Sequence, residues 1–340
     1  MTPRTRTVLQ YLLSVVLTIV LLYAAFRGTD VERLYDAMRS ADYGWLLIML
    51  AFLMISHVLR SLRWRYFLDP IKEGIGLRNL FGGVMIGYFM NNILPRAGEL
   101  IRPYTLARKE GISATSVLGT IVVERVIDGF SFLFLLAVLP LMYDGPLREV
   151  FPWLGESGLI LSVVMAAFMV IMIVLMFNRG LASYVLSVFR MVLPARIYAR
   201  VERMMHSFLD GFLFVKRPGS FAGIFLLSVG VWAMYAAMMY AGLVAFNLDR
   251  TLGWSGAVVV LTISSIGVAI PTPGSTGSYH VFTSQTLSRL FHVPDDVALG
   301  FATLTHAVGY IGVLVLGLYF VLRDHIRVAD AMTRQPEATE

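Results

Sequence analysis

The residues able to do chemistry are concentrated between Gly82 and Asp128, in the stretch GGVMIGYFMNNILPRAGELIRPYTLARKEGISATSVLGTIVVERVID. Three of them, Glu124, Arg125 and Asp128, interrupt an apolar run from Ser116 to Pro140 that is long enough to cross a bilayer. Ionisable groups at that depth are costly, so each must be satisfied or used. Glu124 and Asp128 are four residues apart and share a helix face, while Arg125 can pair with Asp128 three residues on. Such a trio can hold a charged headgroup near the midplane, with Arg125 on phosphate and a carboxylate on an amine or a proton. It can equally be a self-satisfied ion pair that locks two helices together. Arg96, Glu99 and Arg102 follow the corner at Pro95, where freed backbone groups and a helix start favour an anion. Arg96 or Arg102 on a lipid phosphate is one reading of these residues, and snorkelling to the inner interface is the other.

A second set follows Pro271-Thr272-Pro273-Gly274: Ser275, Thr276, Ser278, Tyr279 and His280 offer hydroxyls where the first set offers charge. They suit hydrogen bonding to a headgroup, and they also suit the capping of a helix end. Thr305 and His306 occupy the place in the last apolar span that Glu124 and Arg125 occupy in the earlier one. His306 is there either as a proton relay or as a histidine hydrogen-bonded between helices.

These side chains have to be positioned by membrane helices. The chain has 340 residues, 57% of them hydrophobic and 15% charged, with a mean hydropathy of +0.73. A soluble domain has too little interior for that much apolar surface. The expected fold class is an all-α integral membrane bundle, one domain over residues 1–325, followed by a polar, disordered cytoplasmic tail at 326–340. Absence of cysteine excludes disulfides, thiolate metal sites and cysteine nucleophiles, and six scattered histidines give no metal spacing. Neither a cofactor nor zinc- or thiol-based catalysis is expected. The net charge of +6 comes from basic residues in loops between apolar spans, which points to anionic lipid headgroups and away from nucleic acid.

Along the chain, Thr7 to Phe26 reads as an uncleaved first helix, and Thr29 with Glu32 as a capping box opening a short amphipathic helix outside the membrane. Tyr43 to Leu59 is the second span, closed by Arg60, Arg63, Trp64, Arg65 and Tyr66 as an interfacial anchor. Residues 79–95, with Gly82, Gly83, Gly87, Asn91 and Asn92, are short for a crossing and suit a re-entrant element; residues 254–270 suit the same. Full spans are expected at Ser116–Pro140, Gly158–Phe177, Phe221–Phe246 and Val297–Leu322. Between them, residues 179–217 carry seven basic side chains and place Ile197, Val201, Met204, Phe208 and Leu209 on one face of a surface-lying helix. Treating both short segments as re-entrant leaves six full spans with both termini inside, and puts most Lys and Arg on the cytoplasmic side.

That topology exposes an internal repeat over about residues 43–140 and 221–322. Asn92-Ile93-Leu94-Pro95-Arg96-Ala97-Gly98 matches Val268-Ala269-Ile270-Pro271-Thr272-Pro273-Gly274, and Gly111-Ile112-Ser113 matches His292-Val293-Pro294. One unit enters from each side, which makes the repeat inverted, an organisation found in transporters with the substrate at the repeat interface.

The runs NNILPRAGELIRPYTLARKEGIS, VVERVIDG and GVAIPTPGSTGSYH, with Thr305-His306-Ala307-Val308-Gly309-Tyr310, resemble the lysylphosphatidylglycerol synthase transmembrane region over about residues 8–325. Members of that flippase-like family form the membrane halves of bacterial multiple peptide resistance factors. The resemblance implies a polytopic plasma-membrane (inner-membrane) protein that moves, or helps move, a phospholipid or polyprenyl-linked lipid between leaflets. It marks Arg96, Glu99, Arg102, Glu124, Arg125 and Asp128 as the family-motif positions. Synthase members continue into an aminoacyl-transferase domain, whereas this chain stops after its last span, so it is not expected to make lysylphosphatidylglycerol. Two other readings stand beside the translocase: a membrane-embedded transferase acting on a polyprenyl-linked sugar, and a non-catalytic scaffold for a lipid-modifying enzyme. The partners these readings imply are an anionic phospholipid or lipid-linked substrate, the membrane, and a second copy of the chain or a lipid enzyme.

Overall fold

The computed structural model describes residues 3–143, Gly145, 147–151, 209–217 and 219–325, with isolated positions at 163, 166, 167, 170, 174, 198 and 202. The expected span Gly158–Phe177, most of the expected surface helix in 179–217 and the tail 326–340 lie outside the described residues. Among the described residues the regular structure is all helical: α1 (Pro3–Phe26), α2 (Val31–Arg39), α3 (Tyr43–Leu68), α4 (Leu77–Ile93), α5 (Gly98–Glu110), α6 (Ala114–Met142), the single turn α7 (Leu147–Val150), α8 (Ser220–Ala245), α9 (Asp249–Ala269), α10 (Ser278–Gln285) and α11 (Asp295–Arg323). Of these, α3, α8, α9 and α11 are long and apolar enough to cross a membrane, and α1 with α2, bent by 89° at their break, brings the number to five.

Local chemistry sets the boundaries. Asp30 caps α2 by accepting from the amides of Glu32 and Arg33, so the helix opens on Asp30 and not on the capping box expected from Thr29 and Glu32. Asp42 caps α3 in the same way, through Gly44 and Trp45. Val31 and Tyr35 of α2 are exposed, whereas Leu34, Ala37 and Met38 lie against Gly300 of α11.

The centre of the bundle is an antiparallel seam between α3 and α8, each 26 residues long. The Asp42 amide bonds the Ala245 carbonyl at one end (2.8 Å), and the Tyr66 ring covers Gly223 at the other. The cytoplasmic anchor expected at the end of α3 is not what forms. The helix runs on to Leu68, and Arg60, Arg63 and Trp64 are buried with Phe67 and Leu68. Apolar residues past Arg63 draw this turn into the core, so its cations must find partners there.

Each side of the seam carries a helical hairpin. In the first, α4 turns at Leu94–Ala97, where Arg96 adopts φ 61°, and α5 runs back along it. Gly98 lies against the Gly87 carbonyl so closely that any Cβ at Gly98 would overlap it, and Asn91 Oδ1 accepts from the Gly98 amide (2.8 Å). At the base, Glu110 binds both Lys72 Nζ (2.9 Å) and Asn79 Nδ2 (2.6 Å), so the start of α4 and the end of α5 lie at one level. Burial raises the Glu110 proton affinity, but these two hydrogen bonds outweigh it and hold the carboxyl below its usual range. Pro103 interrupts the amide pattern of α5.

The second hairpin pairs α9 with α10. Gly253 (φ 59°, ψ −161°) breaks α9, and the residues before it extend the segment expected at 254–270 to a helix of 21, long enough to cross. Ser275, at φ 59°, occupies the turn, and a five-residue π turn, Thr286–Leu290, continues α10. A Cβ on Gly267 would come within 2.8 Å of the Ser278 carbonyl, the counterpart of the Gly87–Gly98 crossing. Both hairpins end on a left-handed residue, Gly111 (φ 66°) and His292 (φ 54°). Both are followed two residues later by a cap, Ser113 or Pro294, and a 29-residue helix, α6 or α11.

Candidate functional site

Helices α3, α5, α6 and α8 converge on a buried ion cluster. Glu124 on α6 is fully buried and receives Arg102 of α5 bidentately, at 3.1 and 2.9 Å, together with Arg60 of α3. Asp128, one turn on, accepts from Arg60 (2.8 Å) and Arg63 (2.7 Å). Arg60 and Arg63 each place one further donor on α8, Arg60 to the Tyr235 hydroxyl (3.1 Å) and Arg63 to Ser228 Oγ (3.0 Å). Arg102 also stacks on the Trp64 ring, 3.8 Å from its centroid, and the Trp64 indole donates to Thr120 (2.9 Å). Charges so removed from water persist only when paired and hydrogen-bonded, and here both carboxylates are.

Arg125 is different. Its side chain is 43% exposed, and its approaches to Glu99, Glu124 and Asp128 are all 3.8 Å, beyond hydrogen-bonding distance. It borders a small cleft with Tyr88, Asn91, Glu99 and Arg102, walled by Gly87 and Gly98. Guanidinium donors with no bond of their own, beside a phenol, an amide and a carboxylate, are equipped to receive an anionic group.

Of the residues singled out in the sequence, Glu99, Arg102, Glu124, Arg125 and Asp128 therefore come together. Arg102 is a buried counter-ion and not a snorkelling side chain. Arg96 lies apart at the hairpin tip, where its Nη2 donates to the Ala269 carbonyl of the other hairpin (3.1 Å). Ser275, Tyr279 and His306 belong to a second cluster around the α9–α10 turn. There Ser275 Oγ donates to the Val268 carbonyl (3.3 Å), the Tyr279 and Thr305 hydroxyls pair (3.0 Å), and His306 Nε2 meets the Gly274 carbonyl (2.9 Å). The Tyr310 hydroxyl joins the two tips through the Asn92 carbonyl (3.4 Å).

Sequence reasoning did not assign Arg60, Arg63, Tyr88, Ser228 or Tyr235 to the site. Arg60 and Arg63 carried a usable signal: they are three residues apart and followed by Trp64, Phe67 and Leu68, which marks a buried helical face. Tyr88, Ser228 and Tyr235 carried none, since each acts only through a tertiary neighbour.

Residues 11–317 match the lysylphosphatidylglycerol synthase TM region family. A UPF0104 membrane protein of Methanothermobacter thermautotrophicus is 27% identical, with 72% of this chain and 75% of that protein covered. A UPF0104 membrane protein of Pyrococcus horikoshii is 23% identical, with 93% and 97% covered. Glycosyltransferase AglD of Haloferax volcanii is 22% identical over 99% of this chain and 58% of its own length. With the match extending over nearly all of the helical bundle, the chain belongs to the lysylphosphatidylglycerol synthase TM region family.

Proposed function

We propose that this protein translocates a lipid, passing an anionic phospholipid or lipid-linked headgroup between leaflets while the acyl chains stay in the bilayer. The observation that carries the reading is Arg125: the one arginine of the cluster that is half-exposed and free of short hydrogen bonds among the described residues, at the mouth of the cleft that Tyr88, Asn91 and Glu99 line. Arg96, Ser275, Tyr279 and His306 continue the polar surface through the hairpin tips. In this reading the protein works without enzymatic chemistry in the plasma membrane, with six full spans, two re-entrant hairpins and both termini cytoplasmic. The equal lengths of α3 and α8 and of α6 and α11, and the antiparallel α3–α8 seam, support an inverted repeat.

Arg125→Ala in proteoliposomes should lower translocation of a fluorescent phosphatidylglycerol about tenfold or more, the equivalent of one charge-assisted hydrogen bond. Unchanged transport by folded protein excludes the site. Topology has its own test: Glu73→Cys and Arg250→Cys should be labelled from opposite sides of the membrane, and labelling from one side removes the inverted arrangement. The similarity to glycosyltransferase AglD favours a second reading, a membrane-embedded transferase on a polyprenyl-linked sugar. Product formation from a glycosyl donor, lost with Glu99→Gln, would select it.

A further inference from the structure

His57 is the one buried titratable side chain of this region that the ion cluster leaves unused. It lies on α3 one turn before Arg60, is 3% exposed, and neither ring nitrogen has a hydrogen-bond partner. Neither nearby hydroxyl on the helix serves the ring: Ser56 donates to the Leu53 carbonyl and Ser61 to the His57 carbonyl. An orphaned pair of polar atoms in a packed interior costs roughly 1–3 kcal/mol per group, which calls for a reason. The ring is held against Tyr88 of α4, with centroids 4.6 Å apart, and Tyr88 is a wall of the Arg125 cleft. Its charged and titratable surroundings are Arg60 on its own helix, Tyr88 on α4, Arg102 on α5, Glu124 on α6 binding both arginines, and Tyr235 on α8 bonded to Arg60. Helix α11 meets this part of α3 through Gly309 and Gly312, at Leu53 and Leu50.

The charge balance gives the orphan a role. Arg60, Arg63 and Arg102 face Glu124 and Asp128, three cations against two anions, while Arg125 and Glu99 offset each other at 3.8 Å. The interior thus carries one surplus positive charge. A proton on His57 adds a second, and an anion on Arg125 cancels one. We propose that His57 is the proton-binding residue of the headgroup site, so that an anionic headgroup at Arg125 and a proton at His57 bind cooperatively. The inference rests on the headgroup reading of the cleft and adds the coupling ion to it. Linkage makes the effect reciprocal: the proton strengthens lipid binding by the factor by which lipid strengthens proton binding.

Calorimetric titration of dioctanoyl phosphatidylglycerol into the full-length protein, in buffers of different ionisation enthalpy, counts the protons taken up. The wild type should take up close to one proton per lipid bound, with affinity rising by up to about tenfold per pH unit of acidification over the uptake range. His57→Gln should bind with no uptake and no pH dependence. His57→Asn is the second variant, and thermal unfolding confirms that the protein measured is folded. Wild-type binding without proton uptake, or uptake retained in either folded variant, overturns the proposal and leaves the headgroup reading standing. No binding of this lipid by the wild type, or binding of inorganic phosphate in its place, overturns the headgroup reading and the proposal together.

Discussion

Glu124 and Thr305 are each the eleventh residue of a 29-residue helix that follows a hairpin, yet burial is met in opposite ways. Glu124 is held by two guanidiniums from α3 and α5, Thr305 by the Phe301 carbonyl of its own helix and a phenol from α10. Next along, Arg125 borders an open cleft, while His306 is tied to the Gly274 carbonyl. In the ionic half, moving α5 away from α6 would part the buried Glu124 carboxylate from the bidentate Arg102, a cost of several kcal/mol. In the hydroxyl half, the same movement breaks neutral hydrogen bonds of about 1 kcal/mol each. The first half is therefore a fixed ionic scaffold, and the second is the half whose polar contacts cost less to break.

The largest effect expected from that contrast is on stability. Glu124→Ala leaves Arg60 and Arg102 facing each other and should cost ~3–5 kcal/mol in equilibrium unfolding, against ~1 kcal/mol for Thr305→Ala. Equal costs would erase the distinction. Where the halves are alike, they should respond alike: Gly98→Ala and Gly267→Ala each push a methyl into a backbone carbonyl of the opposing hairpin arm and should each cost about 1–3 kcal/mol. A smaller effect lies at the base of the first hairpin. The folded carboxyl of Glu110 is lowered, so its contribution is present above the unfolded carboxylate range and fades as pH falls through the folded value. Lys72→Met should reduce that acid sensitivity, the Asn79 hydrogen bond keeping part of it, and remove at most ~1 kcal/mol of stability near neutral pH. Smallest of all, Arg96→Gly and Ser275→Gly relieve left-handed backbone but lose one hydrogen bond each, and should shift stability by less than about 1 kcal/mol.

The charged triplet on α6 and the proline corners were visible in the sequence because they break an apolar pattern. Gly111 and His292, aligned with each other in the sequence match, both adopt left-handed backbone although only one is glycine. What could not be read was the choice of partners. Arg60 and Arg63 lie more than 60 residues from Asp128 along the chain, and at the end of an apolar run they look like any interfacial cations. The apolar residues that follow mark their face as buried, but which carboxylates they meet follows from the docking of α3 on α6 and α8, a tertiary event. The same holds for His57, an unexceptional residue until its neighbours are known.

Pro103 has a mechanical consequence for the fixed half. Lacking an amide hydrogen, it cannot close the rung to the carbonyl of Glu99, four residues back. The opening turn of α5, which carries Glu99 into the cleft, is thus joined to the rest of its helix by one rung fewer, while Arg102 anchors it to Glu124. The turn is held at its start by the Gly98 amide on Asn91 and at its end by Arg102, so the segment between them has the fewest ties. Within a rigid scaffold, Glu99 is the part with freedom to swing toward Arg125 or away from it.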